Sequence, residues 1–372
     1  MEVKIRSVNS KKDLMKFIKL PWKIYKEKEY WVPHLIMDRK KMFDKKKNPF
    51  YKHAETEFFL AERDGEIVGR IAAIKNDLHN IHHNDKTGFF GFFECINDQQ
   101  IANALFGAVK DWLKSKGLTS MRGPANPSSN DEYGMLIEGF DDSPRLLMTY
   151  NPEYYLDLCD KYGFTKAKDL YAYKIEHDKL MQSEKLKRVA EISRKRYNVD
   201  IKQLDMKKFD AELEKVKFVY NKAWEPNWGF VPMTNEEIDA MAKDLKPIVE
   251  PSLVLFAEIE NKTAAFALVM PDYNYIFKKL NGRLFPFGFI KLMTQKKKIK
   301  WARIIALGVI PEFQRKGIDS ILYWEIVNRA DAVGIRLGEA SWVLEDNEMM
   351  KRGLDVMNAD VYKKYRMYEM KI

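Results

Sequence analysis

The strongest constraint on the fold of this 372-residue chain is an approximate internal duplication. The stretch VKIRSVNSKKDL from Val3 is similar to VDIKQLDMKKFD from Val199, and FFLAERDGEIVG from Phe58 is similar to VLFAEIENKTAA from Val254. Both pairs are separated by the same offset of 196 positions (199 − 3 and 254 − 58). A shared offset indicates two copies of one structural unit, because unrelated similarities would not keep the same register.

Each copy has the residue pattern of an α/β unit. A β-branched strand is followed by a helical stretch, a turn with tryptophan and Val-Pro, and two strands joined at a polar turn. This polar turn is predicted at Asp64-Gly65 in the first copy and at Asn261-Lys262 in the second. An apolar strand and a long amphipathic helix come next, and both helices are predicted to end at a left-handed glycine, Gly117 or Gly334.

The predicted domains are residues 1–176 and residues 199–372, and a charged helical segment, residues 177–198, is predicted to connect them. The two copies differ most in their insertions. These are residues 122–144 in the first copy and 273–300 in the second. Insertions of this length in compact domains are commonly lids or binding loops.

Composition excludes several classes of protein. Hydrophobic residues make up 46% and charged residues 32% of the chain, which is typical of a globular protein. Cys95 and Cys159 lie far apart in apolar or aromatic surroundings, which favours buried thiols in a cytoplasmic protein. Neither a signal-peptide pattern nor an apolar run of membrane-spanning length is found, so secretion and stable membrane insertion are not expected.

The net charge of +10 favours an anionic partner such as a nucleotide, a nucleic acid or a membrane surface. No RNA- or DNA-binding motif accompanies the lysines, so a nucleic-acid partner is not expected. The aromatic run GRLFPFGFI, residues 282–290, is interpreted as a membrane-surface patch, an acyl-channel wall or, by default, packing within its own insertion. The histidine-rich residues 75–85 are predicted to be a loop, and no metal site is expected from their spacing.

The stretch LGVIPEFQRKGID, residues 307–319, joins a predicted strand to a predicted helix. The strand is expected to end at Pro311, and the helix is expected to begin near Gly317. The first turn of a helix presents unpaired backbone N–H groups at the positive end of its dipole, which suits an anion. Gly317 permits close approach, and Arg315 and Lys316 add positive charge, which favours a phosphate group. An ordinary strand-to-helix turn is the alternative.

The pattern Leu-x-Val-x-Pro-x-x-Gln-Arg-x-Gly in this stretch resembles the acyl-CoA-binding segment of the GNAT superfamily of N-acyltransferases. The family signature Q/R-x-x-G-x-G/A is matched at Gln314 and Gly317 but not at Asp319. The stretch GEASWVLEDNEMM, residues 338–350, resembles the fifth strand of the family and the helix after it. The resemblance implies an α/β fold (α+β in some schemes) of two tandem GNAT-like domains, each a mixed, mainly antiparallel twisted sheet flanked by helices.

The resemblance also implies that acetyl-CoA or another acyl-CoA is bound as co-substrate by the second copy. The residues assigned to acyl-CoA in this way are Leu307, Val309, Gln314, Arg315, Lys316, Gly317, Ile318, Asp319, Ser320 and Asn347. The corresponding stretch of the first copy, ECINDQQI, contains no glycine and no cation. The first copy is therefore not expected to bind a diphosphate.

Direct acyl transfer to an amine, which the resemblance implies, requires a proton acceptor and a proton donor nearby. The tyrosine that serves as acid in many relatives is replaced by Leu354. Glu339 and Ser341 share one face of the predicted fifth strand and are the candidate catalytic residues, with Tyr362 and Tyr365 farther along. The alternative for Glu339 is a surface carboxylate or a partner of Arg336.

The predicted acceptor is a small-molecule or peptide amine. Polar residues of the first insertion are candidates to contact it, namely Asn130, Glu132 and Tyr133, with hydrogen bonding inside their own turns as the alternative. The main prediction is an acyl-CoA-dependent N-acyltransferase that transfers acetyl groups. A non-catalytic acyl-CoA-binding or protein-interaction module is the alternative, and the oligomeric state is left open.

Overall fold

The structure is a computed structural model that describes residues 2–225 and 227–372. Its first elements are, in chain order, β1 (Lys4–Ser7), α1 (Lys11–Ile24), α2 (Ile36–Met42), β2 (Ala54–Arg63), β3 (Glu66–Asn76), α3 (Asp77–His83), β4 (Thr87–Cys95), α4 (Gln99–Ser115), β5 (Ser120–Gly123), β6 (Ala125–Asn126), β7 (Glu132–Tyr133), β8 (Met135–Glu138), α5 (Tyr154–Tyr162) and β9 (Thr165–Glu176). They are followed by α6 (His177–Met181), α7 (Glu184–Tyr197), β10 (Asp200–Gln203), α8 (Phe209–Trp224), α9 (Asn235–Leu245), β11 (Val254–Ile259), β12 (Lys262–Pro271), α10 (Asn274–Leu280), α11 (Gly288–Gln295), β13 (Trp301–Val309), α12 (Ile318–Ala332), β14 (Leu337–Leu344), α13 (Glu348–Val356) and β15 (Asp360–Lys371).

The chain forms two compact units, and neither is a single stretch of sequence. The first unit contains the chain up to Leu170, together with Phe277–Phe289 and Lys364–Ile372. The second unit contains Tyr171–Ile276 and Ile290–Lys363. These units are defined by packing, whereas the predicted copies, residues 1–176 and 199–372, are defined by repetition of the sequence. The bounds of the copies therefore stay a prediction.

The two units have the same sheet topology. In the first unit β1, β2, β3 and β4 are antiparallel neighbours, β5 is parallel to β4, and the end of β15 is antiparallel to β5. In the second unit β10, β11, β12 and β13 are antiparallel neighbours, β14 is parallel to β13, and part of β9 lies beside β14. The predicted mixed, mainly antiparallel sheets are therefore confirmed. The last strand of each sheet comes from the other half of the chain.

The long helices α4 and α12 occupy corresponding places in the two units, and each packs its apolar face on the sheet of its own unit. The carboxylate of Asp98 caps α4, because it accepts hydrogen bonds from the backbone N–H groups of Gln100 and Ile101. Gly117 and Gly334 follow the two helices with φ of +75° and +81°. The predicted left-handed glycine ends are therefore confirmed.

Two local predictions are wrong. The turn between β11 and β12 is made by Glu260 and Asn261, both at positive φ, rather than by Asn261 and Lys262. The histidine-rich stretch forms helix α3 rather than a loop, because Asn76 caps its start and His79 is buried against Phe89.

Cys95 and Cys159 are buried free thiols. Within the described residues, no helix combines the length and the hydrophobicity that crossing a membrane requires.

Candidate active site

β13 and β14 separate after a short stretch of pairing. Within the described residues, their parallel ladder runs from Trp301–Leu337 to Ile304–Ala340 and ends there. β13 continues to Val309 alongside β12, and β14 continues to Leu344. We call the space between residues 305–309 and residues 341–344 the strand fork.

The edge of β13 directs peptide groups into the strand fork. The N–H of Ile310 donates to the carbonyl of Ala264 at 3.0 Å, so these two residues form a hydrogen-bonded pair. Hydrogen-bonded and non-hydrogen-bonded pairs alternate in an antiparallel ladder. The peptide groups of Leu307 and Val309 are therefore directed away from β12 and toward the fork, where a linear ligand with amide groups can pair as an added strand does.

The junction between β13 and α12 has the predicted course. β13 ends at Val309, one short helical turn follows at Pro311–Phe313, and α12 begins at Ile318. Arg315 and Gly317 both adopt left-handed backbone conformations, with φ of +60° and +71°. Gln314 is exposed, and its side-chain amide donates to the carbonyl of Val309 at 3.2 Å.

The carboxylate of Asp319 occupies the start of α12. Burial raises the pKa of Asp319 above its ordinary value, and the backbone N–H groups of Asp319 and Ser320 oppose this rise because they favour the charged carboxylate. These are two of the N–H groups on which the predicted phosphate site depends. The strand fork therefore fits the linear arm of an acyl thioester, whereas the start of α12 fits a diphosphate less well than the family signature predicts.

Gly317 also lies against α7. A Cβ atom at this position would lie 2.3 Å from Oγ of Ser193 on α7. Lys316 also contacts α7, since its Nζ lies 5.6 Å from the centre of the ring of Tyr197 on that helix. Helix packing thus requires a glycine here in addition to the positive φ, and a valine at this position would disturb the fold itself.

Glu339 is completely buried next to the point where the strands separate. Oγ of Ser341 donates to Oε1 of Glu339 at 2.6 Å, and Nε of Arg303 donates to Oγ of Ser341 at 2.8 Å. The hydroxyl of Tyr362 donates to Oε2 of Glu339. We call these four residues, Arg303, Glu339, Ser341 and Tyr362, the buried polar network.

The alternative interpretations of Glu339 are wrong, because this side chain is neither on the surface nor bonded to Arg336. Arg336 forms ion pairs with Asp178 and Asp331. Arg303 is the site residue that sequence reasoning missed. The available signal was a single arginine in the otherwise apolar stretch ARIIALGVI.

The buried polar network lies on the face of β13 opposite α12. Ala302 and Ile304, on either side of Arg303, belong to the core under α12, and strand side chains alternate between faces. Tyr362 stacks on Trp301 with ring centres 6.0 Å apart and is half-buried. It is therefore the member of the network with the most contact with solvent.

Asn347 and Leu354 both stabilise the fold at α13. Oδ1 of Asn347 accepts a hydrogen bond from the N–H of Met350 at 3.1 Å and so caps the helix. Leu354 is buried in the core of the second unit. The role of Asn347 toward acyl-CoA stays a prediction.

The residues predicted to contact the acceptor lie in the first unit. Nη2 of Arg39 donates to both carboxylate oxygens of Glu132, at 2.6 and 2.7 Å. Burial alone would raise the pKa of Glu132, but the charge and hydrogen bond of Arg39, together with weaker effects of neighbouring basic groups, outweigh burial and lower the pKa. Tyr133 is buried in β7, and the backbone N–H of Asn130 donates to Oγ of Ser128. Their contact with an acceptor stays a prediction.

Comparison with known proteins agrees with this architecture. The sequence model of the Acetyltransferase (GNAT) family matches residues 216–352. Protein YghO of Escherichia coli K12 is 34% identical over 99% of this chain and 95% of its own length. Bacterial ceramide synthase of Caulobacter vibrioides is 34% identical over 99% of this chain and 97% of its own length.

Among solved structures, a tandem GNAT protein from the clavulanic acid biosynthesis pathway has the same fold. The two chains are only 10% identical, but they superpose with a TM-score of 0.58 over 100% of this chain and 98% of the other. Fold and relatives together define an acyltransferase enzyme. The chain belongs to the GNAT superfamily, in the tandem form in which one chain carries two copies of the fold.

Proposed function

We propose that the protein transfers an acyl group from a coenzyme A thioester directly to an amine, forming an amide. The observation that carries this proposal is the strand fork, where peptide groups of Leu307 and Val309 are directed into a gap beside the buried polar network. Acyl-CoA would supply the activated acyl group. The N–H of Val309 is a fixed donor in the fork, and a donor of this kind typically contributes about 3 kcal/mol to stabilising a developing oxyanion.

In this proposal Glu339 accepts the proton of the amine through Tyr362. Glu339 is completely buried, so an acceptor amine cannot reach its carboxylate directly. The half-buried Tyr362 already donates its hydroxyl proton to Oε2 of Glu339. As Tyr362 takes a proton from the amine, it passes its own to Glu339. Ser341 and Arg303 hold the carboxylate in place.

We propose further that the acceptor is a long-chain amine and that the acyl group is a fatty acyl group. A relative that matches almost the whole chain is named as a bacterial ceramide synthase, and a ceramide is the amide of a long-chain amino alcohol with a fatty acid. Acetyl-CoA, the donor expected from the sequence, is the second candidate. The two donors differ only in the length of the acyl chain, so their rates can be compared in one assay.

The test combines each donor with a panel of amines and follows release of the coenzyme A thiol together with amide formation. Acetyl-CoA and palmitoyl-CoA are the donors, and a long-chain amino alcohol, a polyamine and a short peptide are the acceptors. We expect palmitoyl-CoA and the amino alcohol to react fastest. Turnover limited to acetyl-CoA and water-soluble amines would overturn the substrate class, and acyl-CoA binding without turnover on any amine would overturn the transfer reaction.

The proton path is tested separately with Tyr362→Phe. This change removes one hydroxyl group, so kcat is expected to fall about 100-fold while stability changes by about 1 kcal/mol. The matched control is Tyr162→Phe, at a half-buried tyrosine of the first unit, and it should leave kcat unchanged. A Tyr362→Phe enzyme with full kcat would contradict the proposed path.

A further inference from the structure

The segment of residues 273–300, which follows the buried Asp272 in the connection between β12 and β13, carries charge of one sign. It contains no Asp or Glu, and its basic residues are Lys278, Lys279, Arg283, Lys291, Lys296, Lys297, Lys298 and Lys300. Lys296 forms an ion pair with Glu250 outside the segment, at 2.9 Å. Arg283, Lys291 and Lys297 are exposed. A segment of this charge attracts an anionic surface.

Large apolar side chains of the same segment are exposed to solvent. The exposed fraction lies between 50% and 72% for Phe285, Phe287, Phe289, Ile290 and Met293, which we call the apolar patch. Met293 lies four residues after Phe289 and three after Ile290 on α11, so these three side chains share one helix face. The default interpretation of the aromatic run, packing within its own insertion, is therefore wrong.

The apolar patch is carried by an anchored segment. Nε1 of Trp22 donates to Oδ1 of Asn281 at 2.8 Å, and the N–H of Ile36 donates to the carbonyl of Gly282 at 3.0 Å. Gly282 has a φ of +80°, and the Trp22 ring lies where a Cβ atom at this position would be. The N–H of Phe289 donates to the carbonyl of Leu284 at 3.0 Å. These contacts attach the turn before the patch, at Asn281 and Gly282, to Trp22 and Ile36.

We propose that the apolar patch docks this enzyme onto the surface of an anionic lipid bilayer. Phenylalanine, isoleucine and methionine side chains enter the boundary between headgroups and acyl chains, and Arg283, Lys291 and Lys297 bind the anionic headgroups. Stable surface binding requires both an apolar and a basic contribution, and this segment supplies both. The proposal does not depend on which amine the enzyme acylates.

Charge decides between a bilayer and a second copy of the chain as the occupant of the patch. Packing two copies patch against patch would bring together two segments that contain basic residues and no acidic ones. Like charges oppose this contact, whereas an anionic bilayer neutralises them. An exposed apolar area of this kind is characteristic of an interaction site in either case.

The test is co-sedimentation of the full chain with vesicles of phosphatidylcholine, with and without phosphatidylglycerol. We expect binding only to vesicles that contain phosphatidylglycerol, and weaker binding at high salt. Phe285→Ser/Phe287→Ser should lower the partition coefficient about tenfold or more. Lys291→Glu/Lys297→Glu should lower it by a similar factor and reduce its salt dependence.

Matched controls place the same changes elsewhere on the surface. Phe218 is 47% exposed on α8, and Lys11 and Lys12 are exposed at the start of α1. Phe218→Ser and Lys11→Glu/Lys12→Glu should bind vesicles as the unmodified chain does. All variants change exposed side chains, and unchanged thermal unfolding checks that they fold.

Three outcomes would overturn the proposal. The first is equal vesicle binding by the patch variants and the controls, and the second is binding that needs no anionic lipid. The third is a dimer mass in light scattering that Phe285→Ser/Phe287→Ser abolishes, which would assign the patch to a second copy. Thiol release with a water-soluble amine should be unaffected in these variants, so a failed docking proposal and a failed transfer reaction are distinguishable.

Discussion

Arg303 and Glu339 lie directly opposite each other in the parallel ladder of β13 and β14, one residue before the pairing ends. Nε of Arg303 is 3.6 Å from Oε1 of Glu339, and neither side chain is more than 3% exposed. The guanidinium also lies 4.9 Å from the centre of the Trp342 ring. A buried ion pair thus holds the two strands together at the point where the strand fork begins.

Removing one member of this pair should destabilise the protein more than removing both. Glu339→Leu leaves a buried guanidinium without its carboxylate, and we expect the free energy of unfolding in urea to fall by about 3 kcal/mol. Arg303→Met/Glu339→Leu leaves no buried charge and should recover most of that loss. The exposed pair Lys23–Glu66 is the control, since Glu66→Gln removes an ion pair in solvent and should leave stability nearly unchanged.

The same double variant separates stability from catalysis. If Glu339 accepts the proton, Arg303→Met/Glu339→Leu should be stable and nearly inactive. A double variant that transfers acyl groups at the rate of the unmodified enzyme would contradict the proposed role of Glu339.

Asp319→Ala should strengthen the binding of coenzyme A. The change removes a carboxylate from the first turn of α12, and it restores the small residue of the family signature. Removing a negative charge beside a diphosphate is expected to lower the Kd in isothermal titration about tenfold. Asp210→Ala, the same change in the first turn of α8, is the control, and an unchanged Kd for Asp319→Ala would argue against a diphosphate at this helix start.

Stability should fall in mild acid because of His79. Burial lowers the pKa of His79 to about 4, against the opposing effect of Asp85 at 3.5 Å, so the folded chain excludes a proton that the unfolded chain binds below about pH 6.5. Stability is therefore fully present above that pH and is lost as the pH falls toward 4. At pH 5 the loss amounts to about 2 kcal/mol.

His79→Phe removes the titrating group and keeps a ring against Phe89, so the loss between pH 7.5 and 5 should shrink by about 2 kcal/mol. Urea unfolding at both pH values measures it. His82→Phe controls for the loss of an imidazole from α3. If the free energy of unfolding of His79→Phe depends on pH as it does in the unmodified chain, His79 is excluded as the cause.

Features that depend on neighbouring residues were predictable from the sequence. The β13 strand stops just before Pro311, and Gly117 and Gly334 end their helices, because each effect acts within a few residues of backbone. The repeated sheet topology was predictable as well, since the similar stretches at one offset come from a comparison of the sequence with itself. The resemblance to the GNAT superfamily then implied the fold and the enzyme class, both of which are confirmed.

Features that depend on distant partners were not predictable. Arg303 and Glu339 are separated by the whole of α12, and their contact depends on the register of two parallel strands. The exposure of Phe285 and Phe287 depends on which parts of the fold pack against their segment, and one such partner, Trp22, lies far away in the sequence. Sequence patterns report average burial for aromatic residues, and that average favours the interior.

The exchanged last strands bear on how the protein is made. β5 obtains its outer neighbour, residues 368–371, only after the second half of the chain has been synthesised. Until then the edge of β5 in the nascent chain is unpaired on that side, and an unpaired strand edge is a site of mispairing. A stop codon before residue 368 would therefore damage the sheet of the amino-terminal half of the enzyme, although every residue of that half had been translated correctly.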